Sequence, residues 1–264
     1  MITSSAESYS TSMAQVHAEL KAHPALVRLL EPELSPRLLH RFLIEYCALG
    51  VQVTAPVEGW IRRAGDRCKE VGLSSLGDSL IKHAVHEAGH ERLFVEDVKA
   101  LSAQYQSRYG DAIDGDALLE QGATPGMQRY IALHETTIAG PTPFAQVAIE
   151  LEIEGLSVSI GPALLAQIEN ILGPTILGCC SFLTEHVAID VGHTKLNEKM
   201  LERLVLAKPE ALPALVDTGK RALEAYLGFL GECMDHAEGC VARSSGPGAT
   251  PEVGSKGTSE RAIA

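Results

Sequence analysis

Apolar residues recur at helical spacing along nearly the whole chain, and no run of strict alternation marks a half-buried strand. The pattern predicts a short helix over 11–21, a break at Ala22-His23-Pro24 and a second short helical piece. Ser35-Pro36 gives an N-cap and first-turn signal for a helix over 38–64, perturbed at Gly50 and Pro56, with Leu39, Phe42, Tyr46 and Val53 along one side. A helix over 76–109 follows, then a glycine-rich acidic loop with a short helix over 111–125, then a helix over 127–137. Gly140-Pro141-Thr142-Pro143 resets the chain and starts a helix to 160; Gly161-Pro162 and Gly173-Pro174 bracket the next. Helices over 175–206 and 209–236 complete the set. The expected architecture is all-α, with a leading segment over 1–21, one helical domain over 22–241, and a Gly/Ser/Thr/Pro-rich disordered tail over 242–264.

Three of these helices carry polar groups where an apolar stripe should lie. In the helix over 175–206, His186, Asp190 and His193 stand at i, i+4 and i+7 and fall within an arc of about 60°. The stripe extends back to Phe182 and Cys179 and forward to Met200. A core-facing carboxylate needs a partner or a metal, because desolvating it alone costs several kcal/mol. The helix over 76–109 repeats the oddity: its stripe through Leu80, Phe94 and Leu101 is occupied by His83, Glu87 and His90. In the helix after Pro143, Glu154 lies on the line of Val147, Leu151 and Val158, whereas Glu152 points away, as a solvated residue would, and Glu150 lies at the edge.

Any one of these groups has a plain structural explanation, such as a hydrogen-bonded His–Asp pair or a polar cleft. Three together point to a shared site. Facing helices of a bundle are where carboxylate-rich dinuclear metal sites are built, and mixed imidazole and carboxylate donors suit first-row metals such as iron, manganese or zinc. Glu87, His90, Glu154, His186, Asp190 and His193 are the candidate ligands, with His83 and Glu58 as candidate extra ones. Tyr46, Trp60, Phe94, Tyr130, His134 and Phe182 are candidate pocket walls.

A competing motif shares the same residues. His86-Glu87-Ala88-Gly89-His90 is a literal HExxH, the zinc-peptidase signature, which needs His86 and His90 on one helical face and Glu87 as general base. It leaves the His186 triplet without a role, and the chain shows no ATPase module, no recognisable propeptide and no Gly-x-x-His continuation after the motif.

Composition narrows the function. Of 264 residues, 22 are basic and 34 acidic, and the net charge of −12 argues against nucleic acid or an anionic membrane as the main partner. No apolar run reaches the ~20 residues of a bilayer span, and Met1-Ile2-Thr3-Ser4-Ser5 lacks the start of a signal peptide. Six cysteines, at 47, 68, 179, 180, 233 and 240, form no CxxC pair, so reduced thiols in a cytoplasmic protein are expected.

The pattern Glu87-x2-His90, then Glu154, then His186-x3-Asp190-x2-His193 resembles the heme-oxygenase-like diiron oxidases, the iron-containing redox enzyme family. The resemblance spans residues 22–234, and its last part is its most specific. It implies a seven-helix heme-oxygenase-like bundle that holds two iron ions on those six residues. It further implies O2 as co-substrate and a small amino-acid-derived or fatty-acid-like substrate that undergoes N-oxygenation, desaturation or C–C cleavage, in natural-product biosynthesis, in a protein that could be a homodimer. Two other readings stand beside it: a heme-binding relative using His17 or His23, and a metal-binding protein without turnover.

Overall fold

The computed structural model describes residues 5–244. Among them, eleven α-helices follow one another: α1 (Ser5–Leu20), α2 (Pro24–Leu29), α3 (Pro36–Thr54), α4 (Val57–Glu70), α5 (Ser74–His86), α6 (Glu91–Tyr109), α7 (Gly115–Leu119), α8 (Pro125–Ala139), α9 (Gln146–Leu172), α10 (Ser181–Ala207) and α11 (Leu212–Ser244). Short 3-10 turns at Pro143–Ala145, Pro174–Cys179 and Pro209–Ala211 join the later ones. The all-α class is as expected, and the expected seven helices become eleven because two long ones are divided and short pieces are added. None of these helices is long and apolar enough to cross a membrane. Most of the expected tail, and residues 1–4, lie outside the described residues; α11 runs through 242–244, so the helix ends later than its composition suggested.

The divisions have physical causes. The helix expected over 38–64 ends at Thr54 and restarts at Val57, across Ala55-Pro56, where proline offers no backbone donor. The helix expected over 76–109 breaks between His86 and Glu91 because Gly89 takes φ +88°, a left-handed conformation that costs glycine nothing. In contrast, Gly161-Pro162 does not end α9, which continues through Pro162 to Leu172. Twelve residues after Gly161, Gly173-Pro174 does terminate it, with Gly173 at φ +91°.

The core is built on α3, α6, α9, α10 and α11. Phe42, Phe94 and Phe229 are fully buried within it, each burial contributing roughly 2 kcal/mol. Phe94 stacks on Phe182 at 3.5 Å between ring centroids and so ties α6 to α10. The start of α10 is fixed by Asp97 of α6. Its carboxylate accepts hydrogen bonds from the Ser181 amide (2.9 Å), the Ser181 hydroxyl (2.7 Å) and the Phe182 amide (2.9 Å), meeting the free donors of a helix N-terminus. On the other side, α4 and α5 cross with their backbones almost touching. A Cβ added at Gly77 would come within 2.4 Å of the Gly65 carbonyl oxygen. That crossing brings the C-terminal end of α5, with His83, into the interior.

Candidate metal centre

Two groups of metal-ligating side chains converge between the α5–α6 break, α9 and α10. His83, Glu87, Glu154 and His193 form one; Glu87, His90 and His186 form the other, and within each group the ligand atoms lie within 4.8 Å of one another. Glu87 belongs to both. Its Oε1 faces His83 Nε2 (3.5 Å) and His193 Nδ1 (3.1 Å), and its Oε2 faces His90 Nδ1 (3.1 Å). Glu154 Oε1 stands 3.1 Å from His83 Nε2 and 3.8 Å from His193 Nδ1.

In the first group, closeness does not mean pairing. His83 Nε2, Glu87 Oε1 and His193 Nδ1 are buried yet make no well-aligned hydrogen bond. Buried polar atoms are normally satisfied, so imidazoles and carboxylates that converge on one space with poor mutual alignment, held by charge attraction alone, are a donor set that suits a cation. The second group is oriented from outside. His186 Nδ1 donates to the Phe182 carbonyl (2.9 Å), which leaves Nε2 directed at His90, 3.2 Å away. Phe182 also stacks on the His186 ring at 3.8 Å.

The electrostatics follow from burial and proximity. Burial works against the charge of Glu87, but His193, His83 and His90 outweigh it and hold its carboxyl well below the usual range. Burial likewise opposes protonation of His83, yet Glu154 and Glu87 lift that imidazole to about 10. Asp190 and Glu87 raise His193 to about 9. Desolvation dominates at Glu154, pushed up to about 7, and lowers His186. A cluster this rich in carboxylate attracts positive charge; burial favours the neutral form of Glu154, whereas the imidazoles around Glu87 favour its ionised form.

Of the residues expected at the site, Glu87, His90, Glu154, His186 and His193 come together, and His83, expected only as an extra, stands at the centre of the first group. Asp190 is buried beside them, its Oδ1 3.6 Å from His193 Nδ1, but joins neither group as the side chains stand. Glu58 is elsewhere: it pairs with Arg62 on the exposed side of α4, because an arginine four residues on offers a nearer partner. His86 is exposed at the end of α5 and belongs to neither group; with the helix broken at Gly89, the two histidines of HExxH do not share a helical face. His17 bonds Glu152 and His23 caps α2, accepting from the Ala25 amide.

Two expectations for α9 are corrected. Glu152 is not solvated: it is buried and accepts from Tyr9 (2.9 Å) and from His17 Nε2 (2.6 Å), because α1 covers this side of the helix. Glu150 is not at an edge but 6% exposed, with burial holding its carboxyl up at about 8. Asn197 was missed by sequence reasoning. It donates to Glu154 Oε2 at 2.5 Å and fixes that carboxylate, and its place four residues beyond His193 was the signal that could have found it.

A cavity of about 140 Å³ opens beside the cluster, with Glu87, Glu154, His186 and Asp190 in its wall. Of the expected wall residues, Tyr46, Tyr130 and Phe182 line it. Trp60 and His134 instead stack on each other at 4.0 Å, and Phe94 packs on Phe182.

No family model matches the chain, and no curated protein matches its sequence. Among solved structures the fold is similar to a domain of unknown function with a heme oxygenase-like fold from Shewanella denitrificans, at 18% identity and TM-score 0.72, covering 94% of this chain and 98% of that one. It is also similar to a CADD-like protein of unknown function from Nostoc punctiforme, at 14% identity and TM-score 0.55, covering 87% of this chain and 98% of that one. These likenesses define an all-α, heme-oxygenase-like fold. What the site does must be argued from the site itself.

Proposed function

We propose that this protein is a non-heme dinuclear metal enzyme of the iron-dependent, O2-using kind, acting on a small substrate held in the adjoining cavity. The observation that carries the reading is the double membership of Glu87, whose two oxygens face two separate sets of imidazoles. One carboxylate between two nitrogen-rich groups is the arrangement for a metal pair rather than for a single ion. His83, Glu87, Glu154 and His193 would hold one ion, and Glu87, His90 and His186 the other, with Asp190 close enough to join by a rotamer change. Two iron ions bound there would supply the redox chemistry that turns O2 against an otherwise unreactive bond.

The chain's own part is to prepare that place. The Phe182 carbonyl sets the His186 tautomer, and Asn197 holds Glu154 so that its second oxygen points at the histidines. The aromatic and aliphatic wall keeps bulk water from the reacting region, where an oxidising species would otherwise be quenched.

Anaerobic titration with Fe(II), followed by metal analysis and O2-uptake measurement against a panel of amines, amino acids and fatty acids, tests the proposal. The expected result is about two Fe(II) per chain and O2 uptake that a substrate accelerates. A single tightly bound Zn(II) with casein cleavage would establish a peptidase instead. Iron binding with no O2 uptake would establish a metal-binding protein without turnover.

A further inference from the structure

The cavity beside the cluster has a one-sided chemistry. Its wall holds Glu87, Glu154, Asp190 and Glu150 but no lysine or arginine, and the rest is mostly aliphatic or aromatic, with the hydroxyl residues Thr54 and Ser157 and the imidazole of His186 among it. His186 is the imidazole that faces it, and burial disfavours its charge. Away from the metal ligands, at Glu150, a substrate carboxylate would therefore meet negative charge without a counter-ion from the chain.

Three of the four carboxylates have an occupation under the metal-centre reading, on which this inference rests: Glu87 and Glu154 as ligands, and Asp190 beside His193. Glu150 does not. It lies one turn before Glu154 on α9, is buried, and lines the cavity. Gln146, one turn earlier again, donates to its Oε1 at 2.6 Å and sets the carboxyl in place. The same Gln146 side chain lies 2.7 Å from His134 Nδ1, and the His134 ring is pinned against Trp60, so the support is rigid. The Oε2 atom of Glu150 makes no hydrogen bond among the described residues, and neither does the phenol of Tyr130 on the same wall. By contrast, the other two phenols of the wall, Tyr46 and Tyr226, bond each other at 3.1 Å. Glu150 Oε2 and the Tyr130 hydroxyl are thus left without a partner from the chain on a mostly apolar wall, and a donor with positive charge would serve both.

We propose that the cavity takes a small aliphatic amine, its ammonium group bound between Glu150 Oε2 and the Tyr130 hydroxyl and its carbon chain lying against the apolar wall toward the metal ligands. An ammonium has three donors, enough for both acceptors, and its charge favours the ionised form of Glu150. The aromatic rings of Tyr46, Tyr130 and Phe182 add faces over which a cation is stabilised. At about 140 Å³ the cavity suits a ligand close to benzene in size, about six heavy atoms. Glu150 is then the specificity-determining residue, and the ligand class is amine rather than fatty acid.

The test uses protein loaded with Mn(II), which fills the cluster without reacting with O2, and calorimetric titration at pH 7 with n-pentylamine, 1-pentanol and pentanoate. The amine should bind at least about tenfold tighter than the alcohol, and the acid weakest. Glu150→Gln should weaken the amine by at least about tenfold, leave the alcohol within about twofold, and retain the Mn(II) content of the wild type. Pentanoate binding tightest would overturn the proposal. So would an equal loss of amine and alcohol, which makes Glu150 a packing residue, and so would loss of Mn(II), which makes it a ligand. Failure of the metal reading is a separate result, seen as a wild type that binds no Mn(II). In that event the same titration on metal-free protein decides: an amine-selective loss in Glu150→Gln keeps the amine site, and no loss removes it.

Discussion

Helix α9 buries carboxylates on two sides, and the two sides are solved differently. Glu152 faces α1, where Tyr9 and His17 both donate to it; each of its oxygens has a partner, and the phenol of Tyr9 is driven far above its ordinary range by burial and by the carboxylate. Glu154, two residues on, faces α5 and α10, where imidazoles approach it but several of their nitrogens bond nothing. One cluster is closed by the protein alone and the other is left open. Burial by itself therefore does not mark a functional carboxylate; what marks it is burial with convergent, unmatched lone pairs.

The largest expected effect breaks or confirms that contrast directly. Glu154→Gln should weaken Mn(II) or Fe(II) binding by about 100-fold or more and abolish the metal-dependent rise in melting temperature. Glu152→Gln should leave both intact. Equal losses from the two variants would mean that the sides are not distinct. Next in size is the cost of opening the closed side. Glu152→Ala leaves the buried Tyr9 hydroxyl without an acceptor and should lower unfolding stability by about 2 kcal/mol, read from urea denaturation of the metal-free protein.

The smallest effect is a pH dependence. The hydrogen bond to Glu152 raises the pKa of His17 in the folded state, although partial burial opposes it. A raised folded pKa gives stability that is fully present below the unfolded value, about 6.5, and that fades as pH climbs through the folded one. Because His17 is 45% exposed, solvent screens the effect. The difference in urea midpoint between wild type and His17→Gln should thus be largest on the acid side and shrink toward alkaline pH. A difference that grows with pH would reverse the assignment of the pair.

How far the sequence disclosed this arrangement depended on the helix. On α10 the segment from His186 to His193 is unbroken, so spacing alone set its imidazoles on one side. At 83–90 the expected residues do converge, but through the turn at Gly89 and not along a continuous stripe. On α9 the periodicity argument failed for Glu152 and Glu150 because this part of the helix is enclosed on nearly every side. A polar residue pointing away from one apolar stripe then points into another interface, here one supplied by Tyr9 and His17 from more than a hundred residues earlier. No local pattern carries that information. The all-α class needed only the period of the apolar residues, which survives such local errors.

The crossing of α4 and α5 has a mechanical consequence. From Gly77 to His83 is six residues, about 9 Å of stiff helix. A methyl group at Gly77 has no room against the Gly65 carbonyl, so the rod must swing outward, and His83 rides on its far end. His90 begins a different rod beyond the hinge at Gly89, and His186 a third. Glu87 caps the same rod ahead of the hinge, so a lever at Gly77 moves His83 and the carboxylate that both groups share, while His90 and His186 keep their own supports, and the whole cluster can be detuned from a position that touches none of it.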